Sequence, residues 1–253
     1  MKPIVLSFSG HDPCGGAGIQ ADIEAIITQG CHSASVITCL TEQNTINVKK
    51  IIPQSTQEFL HQTKTLLTDL KISVIKIGLI GDAAIALSIL DILKQHQQIP
   101  VILDPILAAG GGKNLANQDL LNAILKLLPY VTVLTPNSIE ARKLTGLSDL
   151  TECGEKLLAL GCQSVLITGT HENTEQVSNS LFYQGQIKTY HYARLQNDYH
   201  GSGCTLAASI AALLAQGLEL TEVILKAQDY TWQTLNNAYL TGKGQYNPAR
   251  LLT

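Results

Sequence analysis

Short, almost uninterrupted apolar runs rich in Val and Ile recur along this chain, and segments of helical period separate them. Residues 4–8 (IVLSF), 33–40 (SASVITCL), 74–77 (VIKI), 101–103 (VIL), 131–134 (VTVL) and 164–167 (SVLI) read as strands. Helical periods fall between them, over residues 18–29, 55–70, 82–96, 117–128, 138–144 and 150–160. A strand apolar on both faces has no side for water, so helices must cover both. The alternation therefore predicts an α/β fold with a mostly parallel central sheet flanked by helices on both faces. Ser55-Thr56-Gln57-Glu58 has the capping-box spacing at one helix start, and Gly30 stops another helix. Residues 181–192, with Gln184-Gly185 at their centre, predict a hairpin, and two long helices from residues 203 and 221 close the chain. No Pro/Ser-rich linker, charge run or repeat interrupts the pattern, which predicts one domain over residues 1–253.

The side-chain inventory narrows the function classes. The chain is 45% hydrophobic and 15% charged, with a formal net charge of −3. A pI near 6.1 without basic clusters argues against nucleic acid, whose phosphate backbone calls for grouped Lys and Arg. No apolar run reaches the ~18 residues of a membrane span, and Met1-Lys2-Pro3 leads directly into a strand without a signal peptide. Six cysteines form no CxxC pair and match no zinc spacing, so they read as free thiols of a reducing cytoplasm.

The unusual residues fall at strand ends. "SGHDPCGGAG", "TEQNT", "KIGL", "LDPILAAGGGK", "LTPNSIEARKL" and "TGTHE" each follow a predicted strand, and "HGSGC" opens a helix after the hairpin. Ligands of open α/β sheets bind beyond the carboxyl ends of the strands, so these segments should share one rim. Gly201, Ser202, Gly203 and Cys204 begin an uncharged helix whose free N–H groups suit an anion; a glycine cap with a structural thiol is the alternative. Asn137 and Glu140 can share the first turn of a helix, suited to hydrated Mg²⁺ and phosphate, or simply cap it. Asp104, before Pro105, could hold a metal-bound water or cap a turn, and Asp22 could reach the rim or face solvent. His11, His171 and His200 fall on the rim without metal-ligand spacing and read as polar lining. Gly16-Ala17-Gly18-Ile19-Gln20-Ala21 also fits a dinucleotide fingerprint, and Gly110 to Gly112 read as a lid-like loop or a plain turn.

In this order the motifs resemble the hydroxymethylpyrimidine/phosphomethylpyrimidine kinases of thiamine biosynthesis, a ribokinase-like family. The resemblance rests on "GHDPCGGAGIQAD", "SVITCLTEQNT", "VIKIGLI", "VILDPIL", "LTPNSIEA" and "HGSGCTLAASIAA", which run through nearly the whole chain and displace the dinucleotide reading. It implies ATP and Mg²⁺, a pyrimidine substrate phosphorylated first on its hydroxymethyl group and then on the resulting phosphate, and a homodimer. The pyrimidine would sit among Gly10, Ala17, Gln43, Leu79 and Ile106, beside Asp22. Asn137 and Glu140 match the family's Mg–phosphate residues; Asp104, from its place at a strand end, is expected beside Glu140 at the metal. Residues 201–204 match its anion hole, with Cys204 in the base position.

Other ribokinase-like enzymes place Asp where Cys204 stands. A free thiol titrates near 8.5, about the range where a helix N-terminus can draw it toward neutrality, so the expectation is a Cys204 of lowered pKa. Three departures from the family pattern stand out. Thr168 replaces a lysine that would face phosphate, Leu79 replaces a methionine, and the lid reads Ala109-Gly110-Gly111-Gly112-Lys113, where Lys113 could return the missing charge. Competing readings are a pyridoxal kinase of the same superfamily, a weakened pyrimidine-binding protein, and a thiol enzyme with Cys204 as nucleophile.

Overall fold

The computed structural model describes residues 2–108 and 115–251. The first strand, β1 (Ile4–His11), is buried along all but its ends and runs into helix α1 (Gly18–Thr28). A hairpin of β2 (His32–Gln43) and β3 (Val48–Pro53) follows, then α2 (Thr56–Asp69), β4 (Val74–Ile77) and α3 (Ala83–Gln95). Next come β5 (Val101–Leu103), α4 (Gln118–Leu127), β6 (Val133–Leu134), α5 (Ser138–Thr145), α6 (Leu150–Ala159) and β7 (Ser164–Ile167). The hairpin β8 (Gln176–Tyr183) and β9 (Gln186–Ala193) precedes α7 (Ser202–Ala215) and α8 (Leu220–Asn236).

Among the described residues these strands make one nine-stranded sheet in the order β3-β2-β1-β4-β5-β6-β7-β8-β9. The run from β2 to β7 is parallel, in registers such as Val5↔Val74 and Ile75↔Val101. Both hairpins add antiparallel strands at its edges. Successive residues of a strand point to opposite faces, and the core divides accordingly. Leu6, Leu103 and Leu134 pack under α2 to α6, while their neighbours Val5, Ile102 and Val133 pack under α1, α7 and α8. Helices cover both faces, as the apolar strands require.

The expected elements are present with ends shifted by a few residues, apart from one strand. The exception is β3, an edge strand whose Lys49, Lys50, Ile52 and Pro53 face solvent, so it carries no apolar period from which a strand could be expected. Its turn is held by a side chain: Asn44 Oδ1 accepts from the N–H of Ile46 and of Asn47. The second hairpin starts earlier than expected, at Gln176, but turns at Gln184 and Gly185, both with positive φ as a two-residue type I′ loop needs. Ser55 does cap α2, accepting from Glu58 N–H. No described helix is long and apolar enough to cross a membrane.

Candidate active site

Beyond the carboxyl ends of the strands lies a cavity of about 510 Å³. Gly10 and His11 from the end of β1, Gln43 from β2, Leu79 after β4 and Asp104 after β5 line one part of it. The Asn137 turn, Thr168 after β7 and the start of α7 line the rest. The rim expected from the sequence thus forms one continuous site.

At the end of β1, Asp12 organises the glycine loop. Its Oδ1 accepts from Cys14 N–H and its Oδ2 from Ala17 N–H, both at 2.8 Å. The same Oδ2 lies 2.8 Å from His200 Nε2. Burial alone would raise the Asp12 carboxyl, yet the His200 hydrogen bond and the two amides outweigh it and bring it down to about 2. An ionised carboxylate can only accept, so His200 Nε2 carries the proton in this contact. The Gln43 amide stands 3.4 Å from that nitrogen, inside the cavity.

The C-terminal segment locks this loop onto α7. Arg250 is buried; it donates from Nη2 to the Gly16 carbonyl, from Nε to Thr205 Oγ1 at 2.8 Å and from Nη1 to Glu24 at 3.1 Å. Gly201, the residue before α7, has φ +84°, and a Cβ there would run into the Gly16 carbonyl oxygen. Only glycine fits that crossing, which brings the N-terminal turns of α1 and α7 side by side.

Between those two turns lies the charged floor. Cys204 is buried and its thiol faces Gly18 N–H. Burial pushes that thiol up to about 12; Lys76 and the Gly18 N–H pull the other way, Asp104 and Asp22 push with burial. The expected lowering by the helix end therefore does not hold here: desolvation beside two carboxylates outweighs it. The thiol is neutral at pH 7.

Asp104 sits at 4% exposure, and its Oδ2 has no hydrogen-bond partner. Burial and then the Glu140 carboxylate raise it, against the pull of Lys76. Glu140 is also buried and raised by that burial, although both oxygens are engaged. Oε2 accepts from Asn137 N–H at 2.9 Å and Oε1 from Leu107 N–H at 3.1 Å, while Asn137 Oδ1 accepts from Glu140 N–H. This is a full capping box, so the capping reading of the pair is realised, and the box itself faces the cavity.

No cluster of three or more His, Cys, Asp or Glu that could hold a metal occurs among the described residues. Two buried, raised carboxylates with an orphaned oxygen do fit Mg²⁺, which keeps most of its waters and takes one or two carboxylates plus phosphate.

Asp22 is corrected by the structure. It does not line the cavity: it is fully buried, with Oδ1 2.7 Å from Lys76 Nζ. Lys113 and the glycines of the expected lid lie outside the described residues. Gly10, Ala17, Gln43, Leu79, Ile106, Asp104, Asn137, Glu140, Thr168 and residues 201–204 all line the cavity, as do the three rim histidines. Lys76, Asp12 and Arg250 were not singled out from the sequence. For Lys76 a signal existed, a lone charge inside a four-residue apolar strand that is buried on both faces.

The far end of the cavity is built differently. Thr168 is tied by its backbone to the Asn137 turn, accepting from Ser138 N–H at 3.0 Å, and brings no charge. Gly169 N–H donates to Asn179 Oδ1, and Asn179 donates to Gln228 at 2.8 Å. Arg194 spends its guanidinium on the carbonyls of Thr170, Glu172 and Thr174.

A parallel sheet with antiparallel edges, a glycine turn at an unbroken helix and a buried carboxylate pair define a ribokinase-like α/β protein. The chain belongs to the phosphomethylpyrimidine kinase family, whose model it matches over residues 12–249. It is 33% identical to hydroxymethylpyrimidine/phosphomethylpyrimidine kinase of Staphylococcus aureus, over 97% of this chain and 92% of that protein. The crystal structure of phosphomethylpyrimidine kinase from Clostridium difficile is 30% identical with a TM-score of 0.82, covering 92% of this chain and all of that one, 100%. Bacillus subtilis pyridoxal kinase, solved as an ADP complex, is 26% identical with a TM-score of 0.91, covering 99% and 98%.

Proposed function

We propose that this protein is an ATP-dependent kinase that phosphorylates 4-amino-5-hydroxymethyl-2-methylpyrimidine and then its monophosphate, to the diphosphate. The observation that carries this reading is Gln43 beside the Asp12–His200 pair, in the cavity that Cys204 also lines. A carboxamide offers two donors and an acceptor in one plane, complementary to a ring nitrogen beside an exocyclic amine. In the transfer, the hydroxymethyl oxygen bonds to the terminal phosphorus of ATP while the bond to ADP's oxygen breaks. The amides of residues 201–204 face the oxygens on which charge gathers. Cys204 would take the hydroxymethyl proton as its thiolate, the form that burial opposes and that Lys76 and the Gly18 N–H favour; the thiol's own proton would pass to solvent before the acceptor fills the cavity.

Glu140 and Asp104 would hold Mg²⁺, which supplies neutralising charge for the phosphates, with Asn137 and Thr168 beside them. For Glu140→Gln, the Mg²⁺ concentration giving half-maximal rate should rise several-fold, because a negative metal partner becomes a neutral amide.

The protein is proposed to work in the cytoplasm as a single-domain subunit of a homodimer. The exposed Leu40, Ile46 and Ile52 of the β2–β3 hairpin offer an apolar face to a second copy, and equilibrium sedimentation measures the state. The second reading, pyridoxal phosphorylation, is favoured by the likeness to the Bacillus subtilis enzyme. Incubation with Mg-ATP and each acceptor, followed by product mass, separates the two. Mono- and diphosphates of the pyrimidine are expected; pyridoxal phosphate alone would support the second reading.

A further inference from the structure

Lys76 lies on β4, near the middle of the sheet, and its side chain, like that of Asp22, is at 0% exposure. Its ammonium lies 2.7 Å from Asp22 Oδ1, 3.0 Å from Asp22 Oδ2 and 3.1 Å from Ser9 Oγ. Room for it is left by Gly78, where a Cβ would come within 2.6 Å of Nζ and strike Ser9 Oγ as well. Ser9 and Gly78 belong to the strand ends that also present Gly10 and Leu79 to the cavity, and Asp22 belongs to the helix that begins at Gly18. The pair therefore lies directly behind the acceptor site without touching its contents.

A buried ion pair is weak support for a fold, because desolvating both charges offsets much of their attraction. Two apolar residues of similar volume would pack this position as well. What surrounds the pair gives it another use. Asp104, Glu140 and Cys204 line the cavity, Asp22 is buried behind it, and a phosphate must come to rest above them. Lys76 interacts electrostatically with Cys204, Asp104 and Asp22 together. Burial would discharge it, but those three neighbours hold it above its ordinary value. In a region without water, a fixed charge keeps its full effect and needs no reorganisation during the reaction.

We infer that Lys76 is a positioning residue: its ammonium, clamped by Asp22 and Ser9, is the fixed positive charge against which the acceptor site holds its buried anionic groups and the incoming phosphate, and its loss costs turnover rather than folding. The inference rests on the kinase reading above. It concerns a residue that contacts neither substrate, so it acts on the rate through the field at the floor.

The test neutralises both partners together, since Lys76→Met alone would strand the Asp22 carboxylate. The Lys76→Met/Asp22→Asn variant and the parent are compared in thermal melting, in ATP affinity without acceptor, and in single-turnover phosphorylation of the pyrimidine. The parent's turnover tests the kinase reading by itself. Given an active parent, the double variant should melt within a few degrees of it and bind ATP within about twofold. Its single-turnover rate should fall about ten- to a hundredfold, less than the roughly 10²–10³ of losing a donor in contact with the reacting atoms, because the ammonium acts without contact and its Asp22 counter-charge goes with it. A folded double variant that turns over within twofold of the parent would overturn the inference. Should it not fold, Lys76→Gln/Asp22→Asn, which keeps a hydrogen bond across the gap, replaces it under the same criteria. Failure of both pairs to fold would equally overturn the inference, by making the ion pair a requirement of the fold.

Discussion

The two ends of the cavity are held by different means. At the acceptor end the ordering groups centre on charged side chains taken out of water: the Asp12 carboxylate hydrogen-bonded to His200, Lys76 with Asp22, and Arg250 on the Gly16 carbonyl. At the far end they are backbone carbonyls and amides, with the charged pairs left near the surface. His200 and Asp12 keep 16% and 4% side-chain exposure, whereas Arg142 and Glu172, which brace the loop after β7, keep 35% and 29%. Charge sequestered from water is stiff and strong, while charge near water is screened and cheap to rearrange. A site built this way fixes one partner tightly and leaves the other end free to exchange, which suits a small acceptor facing a nucleotide that must leave as ADP.

If the division is real, damage to the acceptor end should be large and specific. Cys204→Ala is expected to lower kcat by about 10²–10⁴-fold, the usual contribution of a positioned proton acceptor, with KM for ATP within a few-fold of the parent. Unchanged turnover in rapid-quench assays would reduce Cys204 to a packing residue. Gln43→Leu should come next, raising KM for the pyrimidine about ten- to a hundredfold as hydrogen-bonding partners are left unsatisfied, again with little change for ATP.

The acid side sharpens the contrast without any substrate. Asp12 is held near 2 against an ordinary 3.8, so its folded-state value is depressed. The stability it contributes is present above about 3.8 and is lost as pH falls toward 2, worth about 2 kcal/mol in all. Denaturant unfolding of the parent across that window should show the loss, and His200→Asn should move it to higher pH. Arg142→Ala, at the far end, should be the mildest change. The half-buried bidentate pair with Glu172 is worth about 1 kcal/mol, and added salt should shrink it. A larger, salt-independent loss in thermal melting would erase the distinction between the two ends.

The parallel sheet was legible because short apolar strands announce burial on both faces. The rim was legible because glycines, Asx residues and carboxylates interrupt that pattern at the strand ends. β3 was not, since an edge strand with two lysines and a proline has no apolar period to read. Asp22 was misplaced for a related reason. Its sequence neighbours describe a helix face, whereas its fate is decided by Lys76, 54 residues away. Arg250 likewise reaches Gly16 from the other end of the chain, 234 residues distant. Cys204 shows the same limit in its chemistry: a helix start predicted a lowered thiol, and what reverses it is burial, joined by Asp104 after β5 and Asp22 on α1.

The central claim is that the buried acceptor end is shaped for an aminopyrimidine. Its most direct test is competition: one enzyme preparation given hydroxymethylpyrimidine and pyridoxal together with Mg-ATP, with kcat/KM ratios read from the two products. A ratio favouring the pyrimidine by at least about tenfold in the parent, collapsing toward unity in Gln43→Leu, is the result expected. A parent that favours pyridoxal, with Gln43→Leu leaving the ratio where it was, would contradict it.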